Sequence, residues 1–204
     1  SGKTTLFNNI TGSRQHVGNY PGVTVEKKEG SCRVGETEIR VVDLPGTYSL
    51  TAFSIEETVA RDFLITQKPD VVVDVVDASN LERNLYLGVQ LLELGLPVVF
   101  AFNMSDLARE RGLQFDLDLL STLLGAPIVP TEGHKNKGTK ELLDAVVRVA
   151  GSSGTRKPVR IPYGKELEQA IDSIVKRIEA PSSAMSAVEA RWTAVKLLEN
   201  DERI

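Results

Sequence analysis

The chain has 204 residues, 41% of them hydrophobic, which suffices for one α/β domain with a packed core and a small addition. Its net charge of -4 carries no strong basic surplus in either part, which argues against a nucleic-acid-binding domain. The longest apolar runs, VVVDVV at 71–76 and PVVFAF at 97–102, fall far short of the roughly 20 residues of a membrane helix, and a lone Cys32 cannot form an internal disulfide, so a soluble chain in a reducing cytosol is expected.

The chain opens on SGKTTLFNNI, and Gly2-Lys3-Thr4 is the end of the P-loop pattern G-x-x-x-x-G-K-[ST]. The first glycine of that pattern, and the strand before it, are expected ahead of Ser1. Chance alone puts such a tripeptide in about one chain in ten of this length, so its weight depends on whether the other parts of a nucleotide site come after it in the right order. A helix is expected from Thr4 to about Ile10, then a polar stretch, GSRQHVGNYPGVT. SCRVGETEIRVVD reads as a hairpin turning at Gly35-Glu36, the one antiparallel pair. DVVVDVVDA, PVVFAFN and APIVPT read as buried strands separated by helices near 55–65, 81–94, 115–124 and 139–149. The alternation predicts an α/β fold with a mostly parallel sheet, helices on both faces and one antiparallel hairpin edge. The P-loop strand is expected at its centre.

Composition changes at GSSGTRKP, so residues 1–150 form one expected domain, 151–158 a linker and 159–204 a helical unit that continues past Ile204. In the last segment Leu167, Ala170, Ile171, Ile174, Val175 and Ile178 make one apolar helical stripe. A second helix is expected to start at Ser186, with Glu189 completing a capping box, and to carry Val188, Trp192, Val195 and Leu198 on one face.

The nucleotide motifs come in order. Lys3 is placed to meet the β- and γ-phosphates and Thr4 to give its hydroxyl to Mg²⁺, with the backbone of Ser1, Gly2 and Thr5 around the phosphate oxygens. NYPGVT, with Gly22 and Val23, offers Thr24 as a second Mg²⁺ ligand from a mobile loop. DLPG places Asp43 where a carboxylate can hold a metal-bound water, and the Gly46 N–H where it can meet the γ-phosphate. Read singly, Asp43 to Gly46 is equally an ordinary strand-end turn, and Thr24 a residue entering a strand. In NMSD, Asn103 can brace the loops, Met104 can lie along a purine, and Asp106 can accept the N1–H and 2-amino donors of guanine, a pair adenine lacks. Four motifs in order, each at the strand-to-loop junction it needs, define a P-loop GTPase fold. Lys3, Thr24 and Gly46 are the candidates for catalysis, and Thr4, Thr24 and Asp43 for the metal. Thr47 stands where many GTPases have a glutamine after DxxG, so slow intrinsic hydrolysis is expected.

VGNYPGVTVEKKEG followed by DLPGTYSL resembles the cytosolic G-domain of the ferrous iron transport protein B family, and RWTAVKLLEND resembles its helical spacer. The resemblance covers essentially the whole chain. It implies a GTPase unit, binding GTP and GDP, fused to a polytopic membrane region and regulating ferrous iron uptake at the cytoplasmic face of the bacterial inner membrane. It further implies potassium activation, small Feo accessory proteins and homo-oligomers as partners. Met104 conforms to the family's NMxD. Glu132-Gly133 stands where the family usually has Ser-Ala, as candidate backbone contacts to the guanine O6, and the asparagine linked to potassium would precede Ser1.

His16 and His134 are expected to be solvated loop residues, Cys32 a small packed hydrophobe, and Lys27 and Lys28 solvent-facing charges on an edge strand. No spacing in the chain suits an iron site. Two other readings stay open: a ribosome-assembly or translation GTPase, disfavoured by the near-neutral 151–204 segment, and a nucleotide-gated interaction module whose hydrolysis is incidental.

Overall fold

A computed structural model describes residues 1–51, 53–152, 159–179 and 185–201. The first helix, α1 (Lys3–Thr11), starts at Gly2, whose φ of 74° lies in the left-handed region. A β-carbon there would also lie 2.5 Å from the Asn103 amide nitrogen, so glycine is required twice over. Three antiparallel strands come next in the order β1 (Gln15–Asn19), β2 (Glu26–Val34) and β3 (Thr37–Asp43). The β2–β3 hairpin pairs Val34 with Thr37 across Gly35-Glu36, with Gly35 at φ 58°, as the sequence predicts. β1 falls in the polar stretch where the sequence predicts no strand. All five of its residues are exposed and it carries no apolar alternation, so only its backbone ladder to β2 makes it a strand.

That extra strand corrects the reading of Lys27 and Lys28. They sit in the central strand of the antiparallel sheet, half-buried, paired with Glu29 at 2.6 Å and Glu26 at 2.9 Å.

The second sheet is parallel, β4 (Val72–Asp77), β5 (Val98–Asn103) and β6 (Ile128–Pro130), in that order. Around it lie α2 (Ile55–Gln67), α3 (Leu81–Glu93), the short α4 (Ser105–Glu110), α5 (Leu117–Leu124) and α6 (Thr139–Gly151). All but α4 are expected from the sequence. Every residue of β5 is buried because both faces of the strand are covered. Val98, Phe100 and Phe102 join Leu64 of α2, Val76 of β4 and Leu91 and Leu92 of α3. Val99 and Ala101 face the other way onto Leu6 of α1 and Leu142, Ala145 and Val149 of α6. Burial at about 1.5–3 kcal/mol per large apolar side chain makes β5 the axis of the domain. An apolar groove separates β3 from β4, lined by Leu6, Val41, Val73, Val75, Leu142 and Val146.

Residues 153–158 of the expected linker, with 180–184 and 202–204 of the helical segment, lie outside the described residues. Gly151, assigned to the linker, is the last residue of α6. The helical unit comprises α7 (Lys165–Glu179) and α8 (Ala187–Leu198), and Ser186 and Glu189 form the predicted capping box. Ile171 of α7 packs on Ala194 and Val195 of α8, with Ile174, Val175 and Ile178 beside them. The predicted stripes fray at their ends, where Leu167 is 50% and Leu198 44% exposed. Trp192 lies under the Arg61 guanidinium of α2, 5.1 Å from the ring centre. Arg61 also pairs with Asp201 at 2.8 Å, both side chains being almost fully buried, and Tyr163 donates its hydroxyl to Glu93 of α3. The helical unit thus packs on α2 and α3. Among the described residues no helix is long and apolar enough to cross a membrane.

Candidate functional site

The loops at the carboxyl ends of β3, β5 and β6 gather around the start of α1. Lys3 reaches from α1 to Asp43 at the end of β3, Nζ to Oδ1 being 2.5 Å, and also donates to the Leu44 carbonyl. Thr4 and Thr5 are exposed beside it. The Tyr20 hydroxyl donates to the Asp43 carbonyl at 3.2 Å and ties the loop before β2 to the end of β3. Burial, reinforced by Asp43 and Glu29, pushes Tyr20 up to about 12, so this donor keeps its proton. Gly22, at φ 78°, turns the chain so that the Tyr20 N–H reaches the Val25 carbonyl, and Val23 is half-buried in this turn. Thr24 stands exposed on it, and no hydrogen bond of its side chain to Thr4 or Asp43 is seen among the described residues.

Beyond Asp43 the chain passes Gly46, which is exposed, into a segment organised by a residue that the motifs do not point to. Glu57 of α2 accepts from the Ser49 hydroxyl at 2.9 Å and from the Phe53 and Ser54 N–H groups at 3.0 and 3.3 Å. The Thr47 hydroxyl donates to the Ser49 carbonyl at 2.5 Å and lies 3.4 Å from Glu57. The S-x-x-E spacing of Ser54 and Glu57 was the available signal, since it marks a capping box. Gln90 of α3 is equally hidden; its Oε1 accepts the buried Leu50 N–H at 2.6 Å, and a glutamine in a helix gives no sequence sign of such a long-range contact.

On the opposite side Asn103, 3% exposed at the end of β5, joins three segments. Its Nδ2 donates to the Ser1 carbonyl at 2.7 Å, while its Oδ1 accepts from the Gly133 N–H at 2.9 Å and the Thr131 hydroxyl at 3.2 Å. Asn9 fastens the same loop by donating to the Gly133 carbonyl at 2.7 Å. Met104 takes a left-handed φ of 58° at the start of α4, and its methyl lies against the Gly2 position. Asp106 receives the Leu107 N–H at 2.9 Å on one oxygen and Lys135 Nζ at 2.7 Å on the other. Lys135 holds the Asp106 carboxyl below its ordinary range, and does the same to Glu132, a buried residue 3.2 Å away. His134, expected to be merely solvated, has its Nε2 3.3 Å from Asp106. Gly133 is buried, as a backbone contact point between loops requires.

The structure therefore brings Ser1, Gly2, Lys3, Asp43, Asn103, Met104, Asp106, Glu132 and Gly133 to one edge of the domain, with Thr24 and Gly46 exposed on the flanking loops. A helix N-terminus, a lysine beside it, an aspartate at the end of the neighbouring strand and an asparagine-braced loop define the class: a P-loop GTPase G-domain, here followed by a helical unit. Residues 1–146 match the family model described as ferrous iron transport protein B, and residues 163–204 match that of the FeoB cytosolic helical domain. The chain is 47% identical, over its whole length, to an Fe(2+) transport protein A/Fe(2+) transporter FeoB fusion protein of Porphyromonas gingivalis, of which it covers 24%. It is similar in structure to the cytosolic domain of the L. pneumophila FeoB, with a TM-score of 0.87 and 39% identity over 99% of this chain and 85% of that one. The cytosolic domain of the T. maritima FeoB iron transporter in a GDP form gives a TM-score of 0.91 and 37% identity over 98% of this chain and 78% of that one. The chain belongs to the ferrous iron transport protein B family. It spans about a quarter of the length of the curated relatives it matches.

Proposed function

We propose that this chain is the GTP-binding and GTP-hydrolysing part of a ferrous iron transporter, acting from the cytoplasmic face of the bacterial inner membrane on a transport region of the same full-length protein. The observation that carries the reading is Asn103, whose three hydrogen bonds hold the start of α1 and the β6 loop as one frame beside Asp106. Within that frame Lys3 and the N–H groups of Ser1 to Thr5 take the phosphates, and Asp106 takes the N1–H and 2-amino donors of guanine. Met104 lies along the base; the Glu132 and Gly133 N–H groups, given to the Lys137 carbonyl at 3.1 Å and to Asn103 Oδ1 at 2.9 Å, would have to be released before either could meet the guanine O6.

The hydroxyls of Thr4 and Thr24 and the Asp43 carboxylate are hard oxygen donors, the chemistry Mg²⁺ takes, and Gly22 and Val23 shape the loop that carries Thr24. When bound, Mg²⁺ neutralises charge on the phosphates. Lys3 and the Gly46 N–H stabilise the same charge from the protein side, where preorganised donors act most strongly. Slow intrinsic hydrolysis belongs to this reading. The Thr47 hydroxyl is engaged with the loop's own backbone and is too short to orient water as a glutamine does. Potassium enters from the family resemblance, with no side chain of residues 1–204 assigned to it. Small Feo accessory proteins and further copies of the chain are the remaining partners proposed.

Titration calorimetry with GDP and ADP on the parent and on Asp106→Asn tests the base reading. The parent should bind GDP and largely ignore ADP, and the variant should lose that preference. An unchanged preference in Asp106→Asn would remove Asp106 from the site.

A further inference from the structure

The carboxylate proposed to read guanine is already engaged from within the chain. Lys135 Nζ lies 2.7 Å from Asp106 Oδ2, with His134 Nε2 3.3 Å from the same oxygen. An ammonium on Oδ2 competes for that oxygen with one of the two donors, N1–H and 2-amino, that guanine would bring to the same carboxylate. The contact is not a chance reach of a long side chain. Residues 133–135 form a single tight helical turn, closed by the Glu132 N–H to Lys137 carbonyl bond at 3.1 Å, and Asn136 ends it at a left-handed φ of 52°. Lys135 is also held 3.2 Å from Glu132 Oε2, so its ammonium bridges the two carboxylates at the base side of the site. Its side chain is 45% exposed, which keeps the pair weak enough to open.

We propose that Lys135 is an internal latch on the base pocket: its ammonium occupies Asp106 until a guanine base displaces it, so Lys135 governs how fast guanine nucleotides enter. This rests on the assignment of Asp106 as the base reader. The latch is a charged group in an anion's path, so two effects oppose each other. Removing the lysine frees Asp106 but also removes a positive charge that attracts the phosphates. Lys137 separates them. It lies in the same loop, 68% exposed, 3.6 Å from Glu132, and makes no ion pair with Asp106 among the described residues.

The test is stopped-flow association of a GDP bearing a fluorescent group on its ribose. It uses the full-length protein in detergent as parent, Lys135→Gln, Lys135→Met, Lys137→Gln and Asp106→Asn. Both Lys135 variants should associate roughly two- to fivefold faster than the parent, the scale of one exposed ion pair. Their advantage should shrink as KCl is raised, because the pair they lack is screened. Lys137→Gln should associate no faster than the parent. Association unchanged or slowed in the Lys135 variants, or accelerated equally in Lys137→Gln, overturns the latch. Asp106→Asn keeps the two failures apart. If it loses guanine preference while the Lys135 variants match the parent, the base reading stands and the latch falls; if it keeps that preference, the base reading itself fails.

Discussion

Replacing Asn103 by alanine removes the side chain that ties Ser1, ahead of α1, to the β6 loop, and its cost can be worked from the contacts. The Gly133 N–H at 2.9 Å and the Thr131 hydroxyl at 3.2 Å lose their shared acceptor, and the Ser1 carbonyl loses a donor at 2.7 Å. Thr131 is 1% exposed and Gly133 is buried, so two donors are left in a dry place rather than handed to solvent. At about 1–3 kcal/mol for each buried donor left without a partner, with some relief from an entering water, the variant should be destabilised by about 2–4 kcal/mol. With a urea slope of about 2 kcal/mol per molar, that moves the unfolding midpoint by about 1–2 M. GDP affinity should fall by about tenfold or more, because both loops must be placed before a nucleotide can touch them. Asn103→Asp gives a finer discrimination. It keeps an acceptor for Gly133 and Thr131 but sets a carboxylate against the Ser1 carbonyl, so it should retain most of the stability and still lose GDP affinity. Urea unfolding followed by circular dichroism, with GDP titrations on each variant, provides the readout. An Asn103→Ala protein within about 0.5 kcal/mol of the parent, with unchanged GDP affinity, would refute the bracing argument.

Thr24→Ala should reduce single-turnover GTP hydrolysis strongly and leave GDP affinity nearly intact, because a switch hydroxyl is recruited only when a γ-phosphate orders its loop, while Thr47→Ala should change turnover only modestly. The reverse order of effects, measured in potassium and sodium buffers, would exchange the two roles. Gly88→Ala should destabilise by about 1–3 kcal/mol despite alanine's better helix propensity, because its β-carbon would collide with the rigid ring of buried Phe100; a urea midpoint at or above the parent's would show that α3 can shift away. Asp74, buried in β4 with no partner for its Oδ2 among the described residues, is pushed up to about 7 from an ordinary 3.8 by burial. The folded chain therefore keeps a proton that the unfolded chain releases between about pH 4 and 7, and stability falls as pH rises through that window and levels off above it. Asp74→Asn should gain on the parent by about 2–3 kcal/mol between pH 5 and pH 8, and a constant difference across that range would mean that Asp74 is ionised or hydrated in the folded protein.

The parts of this molecule that are legible in the sequence are those whose signal is local. β5 shows itself as PVVFAFN because a strand covered on both faces must be apolar throughout, and α8 shows itself through Ser186 and Glu189 because a capping box lies within four residues. The order of the nucleotide motifs is equally visible, since each lies at one strand-to-loop junction. β1 is not legible, because an exposed polar strand is specified by its partner's backbone and leaves no periodicity of its own. The role of Lys27 and Lys28 is hidden for the same reason: without β1, β2 becomes an edge, and charges on an edge look like solvated ones.

The hidden residues of the site share a different property, which is that they act across long sequence separations. Gln90 reaches Leu50 from 40 positions away and Lys135 reaches Asp106 from 29, contacts that no window of the sequence contains. Both ends of the site are neutralised in this way. Lys3, the proposed phosphate cation, rests on Asp43, and Asp106, the proposed base reader, rests on Lys135. A carboxylate and an ammonium held this close satisfy each other's charge, so the frame made by Asn103 is not strained by like charges facing one another across the cleft. The same pairing means that a nucleotide gains only the difference between its own contacts and the internal ones it replaces. In the proposed reading, selectivity comes from that difference. Guanine offers Asp106 two donors in the plane of its carboxylate, whereas adenine would displace Lys135 and leave the carboxylate without an equivalent pair.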